Sequence, residues 1–206
     1  MRSALTRPGP LFPAAPYVRG QSGTFDGLGL GMLDDIAAGL AASLRTEVRT
    51  DVRAEPSVSF LPETRDAFEE IEWHAGDLRR FTRLLHTPAY EAWLIAWQAA
   101  ADLELHDHGG SQGAFHVVEG ALVEAYTDLT EPAPLRILPI GTGEGRQVPA
   151  TRVHRVGSPG PGRAVSVHVY SPPLSSMTFY DDRPDAFLVP LRTDAVVGPP
   201  EPRGSR

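Results

Sequence analysis

From residue 91 onward the chain is cut into short runs that leave no room for a long helix, and this constrains the fold more than any other feature. The runs are "EAWLIAW", "DLELHDH", "GAFHVVEG", "ALVEAYTD", "PLRILPI", "RQVPATRVHRV", "RAVSVHVYS" and "MTFYDD". Most are rich in β-branched and aromatic residues, and Gly, Pro or Asp separates them, as expected of strands joined by turns. Strands at this spacing predict an all-β barrel or sandwich. Trp93 and Trp97, large aromatics at strand spacing, read as its core.

The N-terminal part reads differently. Leu33, Ile36, Ala37, Leu40 and Leu44 recur at helical spacing and predict an amphipathic helix over 31–48, with Asp34 and Asp35 in its first turn. A second helical patch is expected over 63–72. A third, "AGDLRRFTRLLHT", covers 75–87 and ends before Pro88. The expected organisation is one domain over 28–190, helical across 31–87 and a β-barrel across 90–190. Residues 1–27 are a Pro/Gly-rich arm with no acidic residue before Asp26, and 191–206 read as a flexible tail.

Charge and residue usage narrow the function classes. A net charge of -7 provides no basic face, which argues against nucleic acid or an anionic membrane as a partner. Every basic side chain is arginine, so lysine Schiff-base chemistry is excluded. The chain has no cysteine, hence no disulfide, no thiolate ligand and no cysteine nucleophile. A bound metal must be held by nitrogen and oxygen. No apolar run reaches the roughly 20 residues a membrane span needs, and prolines break the N-terminus where a signal peptide would have its apolar core. The expectation is a cytoplasmic monomer.

The stretch "ELHDHGGSQGAFHVVEG" sets His106 and His108 two residues apart. On a strand such residues face one side, so both imidazoles can converge on a point inside a barrel. His154, in "VPATRVHRV", lies on another strand able to supply a third nitrogen. Three neutral imidazoles make a facial site with open positions, suited to Fe, Zn, Cu or Ni. Ser166, His168 and Tyr170 alternate, which puts them on one side of a single strand. His74, His86 and His116 carry no assigned role.

Residues 97–174 resemble the cupin superfamily, and within it the thiol dioxygenases of the cysteine dioxygenase type I family in their bacterial form. "HDHGGSQGAFHVVEG" is similar to the first cupin motif and "PATRVH" to the second, while "SVHVYSPP" resembles the family's Ser-x-His-x-Tyr triad with its following Ser-Pro-Pro. The resemblance implies a mainly β, jelly-roll-like cupin barrel with a short helical N-terminal segment. It implies Fe(II) on His106, His108 and His154, and an outer relay of Tyr170, His168 and Ser166. Cysteine-specific members carry an arginine in a Tyr-Thr-Arg context that "FTR" resembles, which implies that Arg83 grips a substrate carboxylate by paired hydrogen bonds. Mercaptopropionate dioxygenases typically have glutamine there and a further arginine after the Ser-Pro-Pro turn, where this chain has Met177.

Three departures matter. No glutamate stands at Gln112 or beside it, so three neutral imidazoles leave Fe(II) uncompensated and favour an anionic ligand such as a substrate thiolate. Phe81 replaces the family's tyrosine. Gly113 stands where the animal enzymes carry a cysteine crosslinked to the active-site tyrosine, so Tyr170 must be placed without a thioether. The implied reaction oxidises L-cysteine with O2 to cysteine sulfinate. Another small thiol such as 3-mercaptopropionate or cysteamine, a non-catalytic metal-binding cupin, and a zinc or nickel hydrolase or isomerase stand as alternatives.

Overall fold

The computed structural model describes residues 27–50, 78–131, 133–181 and 188–196, with helix side chains as far as Arg45. One helix, α1 (Leu30–Thr50), precedes ten strands: β1 (Arg79–His86), β2 (Glu91–Trp97), β3 (Gln112–Glu119), β4 (Ala121–Asp128), β5 (Arg136–Gly141), β6 (Gly145–Val148), β7 (Arg152–Gly157), β8 (Ala164–Ser171), β9 (Ser176–Tyr180) and β10 (Pro190–Ala195). No helix among the described residues is long and apolar enough to cross a membrane.

The strands form two layers. One sheet has the order β1-β2-β8-β3-β6. The other is assembled from β5-β4-β7 and β10-β9, which are joined through His106, bridged on one side to His154 of β7 and on the other to Phe179 of β9. Side chains from both layers meet in a shared core that includes Trp97, Phe115, Val117, Leu122, Ile140 and Val156. This is the mainly β, jelly-roll-like cupin arrangement with an N-terminal helix that the sequence implied.

Strand β8 is buried along its whole length because both its faces are covered. Val165, Val167 and Val169 turn outward, where they pack with Ala92, Leu94 and Ala114 against Leu33, Ala37 and Ala41 of α1. Those helix positions are spaced by four, so small side chains line up as a smooth stripe on the sheet. The other face of β8 presents Ser166, His168 and Tyr170 to the space between the layers. The helix begins at Leu30, earlier than its apolar spacing suggests, which moves Asp34 out of the first turn. Asp34 instead meets His116 of β3, with Nε2 2.8 Å from Oδ1. His116 thus lies on the helix side of the sheet and fastens α1 to it.

Four local expectations are corrected. "LRRFTRLLH" is not the third helix but edge strand β1, paired antiparallel with β2. Its apolar spacing suits either period, and the open edge of β2 decides between them by offering backbone partners. Residues 190–195 are not tail but β10, paired with β9. All six are exposed, so the strand carries no apolar alternation to betray it. "RQVPATRVHRV" divides into β6 and β7 at a turn closed by Arg152 N–H donating to Pro149 O at 2.9 Å. "DLELHDH" is held by isolated bridges rather than as a continuous strand. The helical patch at 63–72, His74 and residues 1–26 lie outside the described residues.

Leu33 is fully buried at the helix–sheet interface. Leu33→Ala is expected to cost about 3 kcal/mol of stability, read from urea unfolding followed by far-UV circular dichroism.

Candidate metal centre

Backbone pairing brings the first two imidazoles together. His106 and His154 exchange both backbone hydrogen bonds, each 2.9 Å, which puts their side chains on the same face of the joined sheet. His108 follows two residues later. Asp107 between them turns the other way, its Oδ2 accepting from the Tyr180 hydroxyl at 2.6 Å and its Oδ1 from Gly109 N–H at 2.8 Å. The Asp107 carboxylate therefore braces the turn that carries the two imidazoles. One ring nitrogen from each of His106, His108 and His154 lies within 4.8 Å of the others, and all three residues are buried.

The hydrogen bonds around the cluster show which nitrogens are free to coordinate. His106 Nδ1–H donates to Glu104 O at 2.7 Å, and His154 Nδ1–H to Glu124 Oε1 at 2.8 Å. With Nδ1–H donating, each of these imidazoles in its neutral form keeps its lone pair on Nε2. His154 Nε2 stands 3.3 Å from His108 Nε2, while His108 Nδ1 is buried without a hydrogen-bond partner among the described residues. Burial, with the charge of His154 next in size, pushes His106 and His108 well below the usual histidine range. Three buried imidazoles whose ring nitrogens converge fit a divalent transition metal by donor type and number.

Beside this cluster a chain of hydrogen bonds runs along β8. Ser166 Oγ lies 2.9 Å from His168 Nε2, and His168 Nδ1 lies 3.3 Å from the Tyr170 hydroxyl. Trp97 Nε1–H donates to Ser166 Oγ at 2.9 Å. An indole N–H can only donate, which orients the rest. Ser166 is fully buried, so its own proton is satisfied by donating to His168 Nε2. That leaves His168 to donate from Nδ1 to the phenol oxygen, and the Tyr170 proton is released toward the metal side. His168 is stacked on Phe115, 4.9 Å away and 8° from parallel. Burial, then the charges of His154 and Arg79, push His168 down to about 3. Burial and the Glu91 carboxylate raise Tyr170 well above the ordinary phenol range, so it remains a proton donor.

Tyr170 is placed by close packing. Its ring lies 4.8 Å from that of His108. On the other side it faces Gly113, its register partner, where a Cβ would come within 2.9 Å of the Tyr170 ring and 2.7 Å of Val169 O. The missing side chain at Gly113 lets the phenol settle directly on the backbone of β3. Gln112 turns away from the cluster and donates to Leu28 O.

Arg83 projects from β1 on the same face as Trp93, 5.7 Å over that ring, with its Nη1 3.8 Å from Glu91 Oε2. Glu91 is itself buried, accepts from Leu174 N–H at 2.9 Å, and is the register partner of Tyr170. Arg83 is thus one residue removed from the phenol, already facing a carboxylate. Arg79 lies 5.8 Å over the Trp97 ring, and its charge contributes to lowering His106 and His168. Phe81 is largely exposed and meets Trp93 edge-on. Met177 sits in β9.

Sequence reasoning missed three contributors. Trp97 was read as core alone, although its N–H orders the relay. Glu91 and Glu124 carried no assignment in the sequence, although both are buried. The available signal was parity, since Leu122 and Glu124 share one face of β4, and Leu122 is core.

A family model described as cysteine dioxygenase type I matches residues 36–183. Among solved structures, the chain is similar to CapF bound to the inhibitor 3-isopropenyl-tropolone (18% identity, 46% of this chain and 28% of that one, TM-score 0.42). It is also similar to a recombinant oxalate oxidase in complex with glycolate (16%, 46% and 51%, TM-score 0.42). A third is a sugar phosphate isomerase from a cupin superfamily from Silicibacter pomeroyi (22%, 53% and 69%, TM-score 0.41). The chain spans about half or less of the CapF and oxalate oxidase chains.

Two outcomes follow for the metal-free protein. The folded state holds His168 neutral down to about 3, whereas the unfolded chain accepts that proton near the ordinary 6.5. Stability is therefore full above about pH 6.5 and falls as pH drops toward about 3, with His106 and His108 acting in the same direction. The urea midpoint should be lower at about pH 5 than at about pH 7.5. Gly113→Ala should cost about 1–3 kcal/mol by overpacking and perturb the near-UV signal of the tyrosines.

Proposed function

The chain belongs to the cysteine dioxygenase type I family, and from that premise and the geometry of the site we propose that it is an iron-dependent thiol dioxygenase that converts L-cysteine and O2 to cysteine sulfinate. The observation that carries this reading is the three-imidazole cluster, which includes no carboxylate among the described residues and has the Tyr170 phenol packed against it. Fe(II) held by His106, His108 and His154 would supply open positions for a thiolate and for dioxygen and would mediate the transfer of four electrons from the sulfur to O2.

The chain's own residues do the rest. Three neutral donors leave the dication needing an anion, which selects the deprotonated thiol. The Tyr170 hydroxyl, its proton freed by the order Trp97, Ser166, His168, donates a hydrogen bond into the open side of the site. Such a fixed dipole stabilises developing charge without reorganising. Burial of the relay keeps water from competing for that proton. Arg83 receives the substrate carboxylate, for which it leaves Glu91 or shares its guanidinium with it. Both atoms of O2 end on the sulfur, with no external reductant needed. The protein works as a cytoplasmic monomer without nucleic acid or membrane partners, in keeping with its acidic net charge.

The pairing of Arg83 with Glu91 favours one alternative, a small thiol that carries no carboxylate, such as cysteamine.

Anaerobic loading with Fe(II), then addition of cysteine and O2, should yield sulfinate carrying two oxygen atoms from O2. Absence of thiol-dependent oxygen uptake with every small thiol tried would sink the dioxygenase reading. Arg83→Gln should raise the KM for cysteine about 10-fold or more, the worth of a charged hydrogen bond, and leave cysteamine turnover unchanged. Equal effects on both substrates would remove Arg83 from carboxylate recognition.

A further inference from the structure

The three imidazoles do not have equivalent outer partners. His106 Nδ1 donates to a neutral backbone carbonyl, and His108 Nδ1 has no hydrogen-bond partner among the described residues. His154 Nδ1 donates to a full carboxylate, that of Glu124. This carboxylate is completely buried, and its second oxygen has no hydrogen bond among the described residues. Arg152 Nη1 approaches the first oxygen from the solvent side at 3.4 Å, and its guanidinium rests 4.0 Å over the Tyr126 ring.

Burying a carboxylate is costly unless charge and hydrogen bonds compensate it. One imidazole N–H and one distant arginine are thin compensation for a group with four acceptor sites. A dication on the far side of the same imidazole would supply the missing positive charge. The placement is also specific. Register puts Glu124 beside Val156 and His154 beside Tyr126, so the carboxylate reaches the His154 ring diagonally across the β4–β7 pair. Val156, its register partner, and Leu122, two residues before it, both belong to the apolar core.

We propose that Glu124 is a positioning residue that charges the metal site through His154: it fixes the Nδ1–H tautomer, makes Nε2 of His154 the most basic of the three donors, and places one negative charge just outside the ligand shell, with Arg152 capping it from solvent. The site is then neutral in its ligands but anionic in its surroundings. The inference rests on reading the three histidines as metal ligands, and not on the identity of the thiol or on dioxygenase chemistry.

The test uses the full chain and metal alone. Fe(II) and Co(II) dissociation constants are measured anaerobically by chelator competition, beside the melting temperature of the metal-free protein. Glu124→Gln keeps the size and the acceptor oxygen but drops the charge. It should weaken binding of both ions 10- to 100-fold, the usual scale for an outer partner of a metal-bound histidine, without lowering the metal-free melting temperature. Glu124→Asp should recover part of the affinity. Binding by Glu124→Gln within twofold of the unaltered protein overturns the proposal, as does a loss of affinity matched by collapse of the metal-free fold.

Nitrogen-15 and proton NMR of the unaltered Zn(II)-loaded protein provides a check that needs no variant. The His154 Nδ1 proton should resonate far downfield of that of His106, which faces a neutral carbonyl. Coincident resonances overturn the assignment. Failure of thiol oxidation with these metal results intact would refute the proposed reaction while leaving the role of Glu124 standing. Failure of the unaltered protein to bind any divalent ion would end both.

Discussion

The backbone exchange between His106 and His154 is the interaction on which the rest of the site depends. It joins β7 to the segment before β3, and through Phe179 it brings β9 and β10 into the same layer. Without it the second sheet would be two fragments. With it, two imidazoles of the candidate metal cluster are set side by side by the same hydrogen bonds that complete the fold. The third ligand then needs only a short braced turn, which Asp107 provides through Tyr180 and Gly109.

The second constraint is the double burial of β8. An alternation of valines with serine, histidine and tyrosine is the pattern of a strand with one wet face, yet every residue of β8 is buried. Here the valines meet α1 and the polar row meets the metal cluster, so each face has an apolar or hydrogen-bonded partner. The helix therefore serves the site indirectly. By covering the outer face, and by the fastening of Asp34 to His116, it holds the strand from which Tyr170 projects. Gly113 completes the arrangement from β3, where the absent side chain leaves room for the phenol against the backbone.

Several features were legible because they depend on period and residue type. The alternation in "SVHVY" put its polar residues on one side, and the His-x-His pair placed its imidazoles together. The spacing of Leu33, Ala37 and Leu40 marked the helix. Other features were illegible for equally physical reasons. "LRRFTRLLH" satisfies both helical and strand spacing, and only the unpaired edge of β2 makes it a strand. Residues 190–195 bury no side chain, Leu191 included, and backbone pairing with β9 together with the Arg192–Glu104 ion pair holds them. Glu124 looked like any strand carboxylate until its neighbour across the β4–β7 pair was known.

The sequence by itself determined the donor chemistry: no cysteine and no lysine, three histidines able to converge, a Ser-His-Tyr row on one strand face, and a glycine where a crosslinking residue could stand. These follow from composition and from the two-residue period of a strand, which is a local property. The tertiary structure decided what each donor faces. It alone put Glu124 behind His154, Trp97 behind Ser166, and Glu91 between Arg83 and Tyr170. Those pairings join residues far apart in the chain, and they are set by sheet register and by the need of buried polar groups for partners, neither of which is written in any single segment.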